Sequence, residues 1–187
     1  MATVEEIFAD ISAHMIKGIM IHDQMASYYE FLNLNGYAKC HQYHFWLENK
    51  NYLCLKHYYF KNHCKLIPER KIEDPKIISS SWYRYEKQEV DINTKRASVK
   101  SGMERWIEWE TDTKKFFEQK YKELIDLGEV NDAIYVGKLI EDASCELSKA
   151  KKWYIQKKDI DFDINGIISE QKCKKDKYKE KIKGIEL

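Results

Sequence analysis

The sequence predicts an all-α protein, an antiparallel four-helix bundle with one long crossover and a short fifth helix. Three observations carry that expectation. The chain of 187 residues has only 2 Pro and 7 Gly, which leaves room for long uninterrupted helices. Four stretches show apolar residues at helical spacing. The breaks between them are unequal: short at residues 33–36 and 128–131, and long at 64–100, where both prolines lie.

The first helix is expected to open at Thr3, because Thr3 followed by Glu6 fits a capping box. Ile7, Ile11, Gly18, Ile21, Met25 and Tyr28 follow at helical spacing, to about Leu32. Asn33-Leu34-Asn35-Gly36 reads as a turn. The second helix runs from about Tyr37 to His63, with Phe45, Tyr52, Leu55 and Tyr59 as its stripe. Residues 64–100 hold Pro68, Pro75, the Ser79-Ser80-Ser81 run and the patch Trp82-Tyr83-Arg84-Tyr85. Their periodicity is poor, and a connection of that length needs a reason.

The third helix is expected to start at Ser98 or Ser101, since Ser101 followed by Glu104 repeats the capping-box pattern. Met103, Trp106, Ile107, Phe117, Tyr121 and Leu124 form its face, and Gly128 is its C-terminal cap. The fourth helix starts near Asn131 and reaches Trp153 or Lys157, with Ile134, Tyr135, Leu139, Ile140 and Leu147 on its face. Asp163 to Glu170 reads as a short fifth helix. The domain expectation is a bundle over residues 1–160. Residues 161–187 then form a short helix and a solvated, Lys-rich tail.

Composition narrows the function classes. Hydrophobic residues at 43% and charged residues at 34% suit a globular chain with a core. The net charge of +1 gives no global nucleic-acid signature. The excess is local: residues 171–187 hold seven Lys against three acids. No apolar run of membrane length and no secretory segment is present, so neither export nor a bilayer span is expected. The cysteines at 40, 54, 64, 145 and 173 form no CxxC pair and read as reduced thiols of a cytoplasmic protein.

Polar residues interrupt the apolar stripes once per helix. They are His14, Glu48, Glu110 and Asp142. A bare carboxylate on an inner face is expensive without a proton, a partner or a metal. These four are therefore the candidate metal ligands, and each has a plain structural alternative. Glu48 can pair with Lys or be capped by Tyr hydroxyls, and Trp106 and Trp109 leave the helix phase at Glu110 open. His14 can simply be hydrogen-bonded. Glu141 can be the inner acid in place of Asp142. Cys145 has ligand spacing from Asp142 but is more often a core residue.

Several stretches resemble the non-haem ferritin family. Ala26-Ser27-Tyr28-Tyr29 and then Asn35-Gly36-Tyr37-Ala38-Lys39 resemble its first turn and the residues around it. Lys100-Ser101-Gly102-Met103-Glu104 through Glu110 to Phe116-Phe117-Glu118 resembles its third helix, and Leu139-Ile140-Glu141-Asp142 its fourth. The resemblance spans roughly residues 4–157. It puts Glu48 and Glu110 on metal-glutamate positions, and Asp142 and Cys145 on fourth-helix ligand positions. It also puts Asn51 where the family has the histidine of a Glu-x-x-His pair. His14 stands near the place of the first-helix glutamate. The chain is thus expected to be a divergent ferritin-like protein with an incomplete di-iron site.

The resemblance implies non-haem iron as cofactor, Fe(II) oxidation by oxygen or peroxide, iron storage, and assembly into a homo-oligomer. The competing expectation is a metal-free ferritin-fold structural or protein-interaction protein, with the Trp82-Tyr85 patch as a partner surface. A third, nucleic-acid binding through the Lys-rich tail, is opposed by the near-neutral total charge. No catalytic residue is assigned.

Overall fold

In a computed structural model, residues 2–75 and 90–185 are described. Among them are six helices and no strand: α1 (Val4–Phe31), α2 (Asn35–His63), α3 (Ile92–Asp126), α4 (Val130–Lys158), α5 (Ile164–Ser169) and α6 (Gln171–Lys183). The Trp82-Tyr83-Arg84-Tyr85 patch lies outside the described residues. No helix among them is long and apolar enough to cross a membrane.

Local chemistry sets most helix ends where the sequence puts them. Thr3 Oγ1 accepts from the Glu6 backbone N–H at 3.2 Å, and Glu6 Oε2 accepts from the Thr3 N–H at 2.8 Å. That reciprocal pair is the capping box, and it satisfies two donors the helix itself leaves open. Gly128 takes φ +79 just past α3, where any Cβ is disfavoured.

Two boundaries differ from expectation. α3 begins at Ile92, well before Ser98 or Ser101. Its N-cap is Asp91, whose carboxylate accepts from the Thr94 N–H at 3.0 Å and the Thr94 hydroxyl at 2.6 Å. Ser98 and Val99 are buried, so the added turns belong to the core face. The C-terminal tail is not a solvated end, because α6 packs against α2. Tyr178 is buried beside Cys40, Trp106 and Ala150. The Lys174 ammonium lies 3.5 Å from the centroid of the Trp153 ring and 4.8 Å from that of Tyr37. Gln171 Oε1 accepts from the backbone N–H groups of Gly36 and Tyr37 at 2.8 and 3.3 Å, which caps α2 from the far end of the chain. Lysine stems cover aromatic faces here while their ammonium groups keep polar partners, so a Lys-rich helix can dock.

Contacts fix the directions of the helices. Phe8 meets Tyr59 while Tyr29 meets Tyr37, so α1 and α2 are antiparallel. Asp10 meets Lys120 while a Cβ at Gly102 would strike Tyr29, so α1 and α3 are antiparallel. Tyr58 meets Asp132 while His44 meets Glu146, so α2 and α4 are antiparallel. It follows that α2 and α3 are parallel. The chain leaving α2 must then return along the bundle before α3 begins. The 29 residues of α2 span roughly 43 Å at about 1.5 Å per residue, so a two- to eight-residue loop cannot make that return. That is the physical reason for the long connection.

The apolar core has two large clusters, besides the small one of Cys40, Trp106, Ala150 and Tyr178 under α6. Ile7, Phe8, Ile11, Leu55, Tyr59, Phe117, Leu124 and Val136 fill one end. Ile21, Met25, Tyr29, Leu32, Tyr37, Val99, Met103 and Ile167 fill the other. Between them the buried positions turn polar.

Candidate functional site

All four long helices contribute to this mid-bundle layer. α1 supplies His22, α2 supplies His41 and His44, α3 supplies Glu110 and α4 supplies Glu146, and all five are buried. Of these five, Glu110 and Glu146 also line a cavity of about 230 Å³. His14, Met15 and Gly18 line it from α1, Glu48 and Asn51 from α2, Glu110 and Thr113 from α3, and Asp142, Glu146 and Lys149 from α4. The structure therefore brings His14, Glu48, Glu110 and Asp142 to one cavity.

Their surroundings differ. Trp106 Nε1–H donates to Glu110 Oε1 at 3.0 Å. Burial, with the negative charges of Glu48 and Glu146, pushes the Glu110 carboxyl up to about 8 against this bond. Burial, followed by the charges of Glu146 and Asp142, raises Glu48 to about 7. Burial raises Asp142 as well, yet it sits at the exposed rim of the cavity. His14 lies flat between Trp109 and Phe116, with ring centroids at 4.6 and 4.2 Å. Its Nε2 is 2.9 Å from Thr113 Oγ1, so that nitrogen already has a partner. Burial lowers the His14 pKa to about 4, keeping the ring neutral.

Sequence reasoning missed Glu146. It falls on the buried series Val136, Leu139, Ala143, Glu146, Ala150, which alternates steps of three and four residues. The large apolar side chains Tyr135, Ile140 and Leu147 suggest a phase one residue away. Small alanines mark the true inner face. Glu146 Oε1 accepts from the Lys149 ammonium at 2.5 Å. Glu146 Oε2 is buried and has no hydrogen-bond partner among the described residues; His44 Nδ1 lies 3.3 Å away.

The three buried histidines form a cluster. His22 Nδ1 is 3.1 Å from His41 Nδ1, so one ring donates and the other accepts. The His44 ring stacks 5.2 Å from that of His22, centroid to centroid. His22 Nε2 is 3.9 Å from Glu110 Oε1. Burial first, then neighbouring histidines, holds all three well below the ordinary imidazole range. Another acid–histidine contact lies elsewhere, where Asp132 accepts from Tyr58 OH at 2.9 Å and meets His63 at 3.2 Å.

The ferritin ligand pattern itself does not fit. No acid of α1 lines the cavity, Asn51 stands at the histidine place, and His14 is bonded to Thr113. Among the described residues, no group of three or more His, Cys, Asp or Glu side chains is drawn together closely enough to hold a metal ion. Carboxylates that raise one another's pKa, and a buried carboxylate oxygen without a donor, are the groups a cation would relieve. Compared with known proteins, the chain matches no protein-family model, no curated protein and no solved structure.

Proposed function

We propose that the protein is a ferritin-like bundle whose mid-bundle cavity binds a divalent transition-metal cation through Glu48, Glu110, Glu146 and, at the rim, Asp142. Iron is the cation the sequence resemblance implies. The observation that carries the reading is the crowding of Glu48 and Glu110 beside the unpaired Glu146 oxygen in one cavity. The parallel course of α2 and α3, joined by one long crossover, supports the ferritin-like topology.

The protein groups have definite tasks in this reading. Glu48 and Glu110 release protons when the cation enters, so affinity rises with pH through the range of about 7 to 8. Trp106 holds Glu110 Oε1 and fixes the direction of that carboxylate. Lys149 gives up its bond to Glu146 Oε1 or shares it. Iron would supply redox chemistry between Fe(II) and Fe(III). Assembly into a homo-oligomer belongs to the same reading. Exposed Trp46, Leu53 and Phe60, spaced seven residues apart on α2, support a helix-face contact.

The test is anaerobic Fe(II) uptake by equilibrium dialysis at pH 6 and pH 8, with assembly size measured on the same sample. Roughly one or two cations per chain are expected at pH 8, as for carboxylate sites in bundles. Fewer are expected at pH 6, and none after combined Glu48→Gln and Glu110→Gln. Wild-type protein that takes up no Fe(II) at pH 8 would sink the reading. The metal-free structural role is the second reading. Lys149 favours it, because a cation of the protein's own already meets Glu146.

A further inference from the structure

We infer that copies of this chain join head to tail, with the outer face of α2 on one copy docked against the α3–α4 hairpin of the next, a claim that rests on the homo-oligomer part of the reading above and names the two surfaces that meet.

The α2 surface is basic and apolar. Trp46, Leu53 and Phe60 are exposed and stand seven residues apart, so they line one face of the helix over roughly 21 Å. Lys50, His57 and Lys61 are exposed on the same face and interleave with them at steps of three and four residues. The one acid of α2 is Glu48, and it lines the cavity on the inner side. Leu53, His57, Tyr58 and Lys61 border a shallow depression of about 610 Å³, a seat for an apolar side chain.

The hairpin surface is its complement. Tyr121 and Ile125 on α3, and Val130 and Ile134 on α4, are exposed on either side of the turn at Gly128. A Cβ at Gly137 would stand 3.7 Å from the Tyr121 ring, so the two helices close on each other there and the four side chains belong to one patch. Large apolar side chains grouped in this way mark contact surfaces, whereas single ones do not. Glu118, Asp126, Glu129 and Glu141 are exposed around them and outnumber the exposed Lys122 and Lys138. Along the chain, residues 118–141 hold six acids against three Lys, and residues 35–63 hold four Lys against one acid.

Charge decides the occupant. A two-fold contact between α2 and the α2 of a second copy would set lysines against lysines with no exposed acid between them. Against the hairpin, the same lysines meet the opposite sign. The spans agree: Lys50 and Lys61 lie roughly 16 Å apart along α2, and Glu129 and Glu141 roughly 18 Å apart along α4. The two patches sit on different helices, so the contact is heterologous. A pair of copies then leaves one α2 face and one hairpin open, and assembly continues until it closes as a ring.

The test is sedimentation velocity of full-length protein at low salt, where exposed charges act over the longest range. Two variants are compared with the wild type: Leu53→Asp in the α2 stripe and Ile134→Asp in the hairpin patch. The wild type is expected to form oligomers. Each variant alone should be monomeric, because every contact needs both patches. Mixed in equal amounts, the two should form a one-to-one dimer and nothing larger, as the intact hairpin of one docks on the intact α2 of the other. Leu53→Ser and Ile134→Ser serve in the same roles if circular dichroism shows either variant unfolded. An oligomer that survives in either folded variant, or a mixture that stays monomeric, overturns the inference and leaves a homo-oligomer of another geometry standing. A wild type that is monomeric throughout overturns the inference and the homo-oligomer reading together.

Discussion

The His14 ring lies parallel to Trp109 and Phe116, and its Nε2 meets Thr113 Oγ1 at 2.9 Å. This side chain lines the cavity but works as a slab between α1 and α3. The expected consequence is separation of stability from binding. His14→Ala should destabilise the fold by about 2 kcal/mol, through lost aromatic packing and an unpaired Thr113 hydroxyl. His14→Phe should recover much of that and leave Fe(II) or Co(II) affinity unchanged. The check is chemical denaturation beside cation titration of both variants. A large loss of affinity in a stable His14→Phe protein would make His14 a ligand after all.

The contrast between His14 and Glu146 shows what the sequence makes legible. The Thr3 capping box, the turn at Asn33 and the Gly128 stop are local, so they read directly from neighbouring residues. Glu110 is legible from its neighbours as well, because Met103, Trp106 and Phe117 on its series are large and apolar, although Trp109 beside it leaves the phase open by one residue. On α4 the inner face is built from Ala143 and Ala150, which carry little hydrophobic signal, and the phase shifts by one. The α3 start is hidden in a Pro- and Ser-rich connection, although Asp91 and Thr94 hold the capping chemistry. The histidine layer was illegible for another reason. Neutral imidazoles become acceptable core residues when they meet partners, and His22 of α1 meets His41 and His44 of α2 across the helix pair. The docking of α6 likewise depends on Trp153 and Tyr37, distant in sequence, receiving Lys174.

Stability of the cation-free protein should fall as pH rises from about 6.5 to 8. The sign follows from Glu48 and Glu110. Their folded pKa values of about 7 and 8 lie above the ordinary 4.5, so the folded state holds protons that the unfolded state has released. Stability from these protons is full below 4.5 and is lost as pH passes through 7 and 8. The buried histidines act oppositely, because their folded pKa values are depressed. Their contribution is full above about 6.5 and falls below it. The window above 6.5 therefore isolates the carboxyls. Glu110→Gln keeps an acceptor for Trp106 and cannot ionise. It should raise the melting temperature at pH 8 and have much less effect at pH 5. An equal shift at both values would rule out Glu110 as the titrating group.

Docking of α6 yields a chemical prediction. Cys54, Cys64, Cys145 and Cys173 are exposed, while Cys40 is buried beneath Tyr178. Burial also raises the Cys40 thiol to about 12, so it is protonated at neutral pH as well as covered. A thiol reagent should label the four exposed cysteines quickly and leave Cys40 alone. Lys174 holds the cover in place through Trp153, Tyr37 and an ion pair with Glu170 at 3.4 Å. Lys174→Ala should cost about 1–2 kcal/mol through the lost cation–π contact and stem packing. Lys174→Glu is harsher, because it sets a carboxylate against the negative faces of two rings and beside Glu170. That variant should make Cys40 reactive under native conditions, read by mass spectrometry of the labelled peptide. If Cys40 stays protected and the melting temperature is unchanged, Lys174 is not what fastens α6. Gln171, through its bonds to the α2 N-terminus, would then be the fastening to remove next.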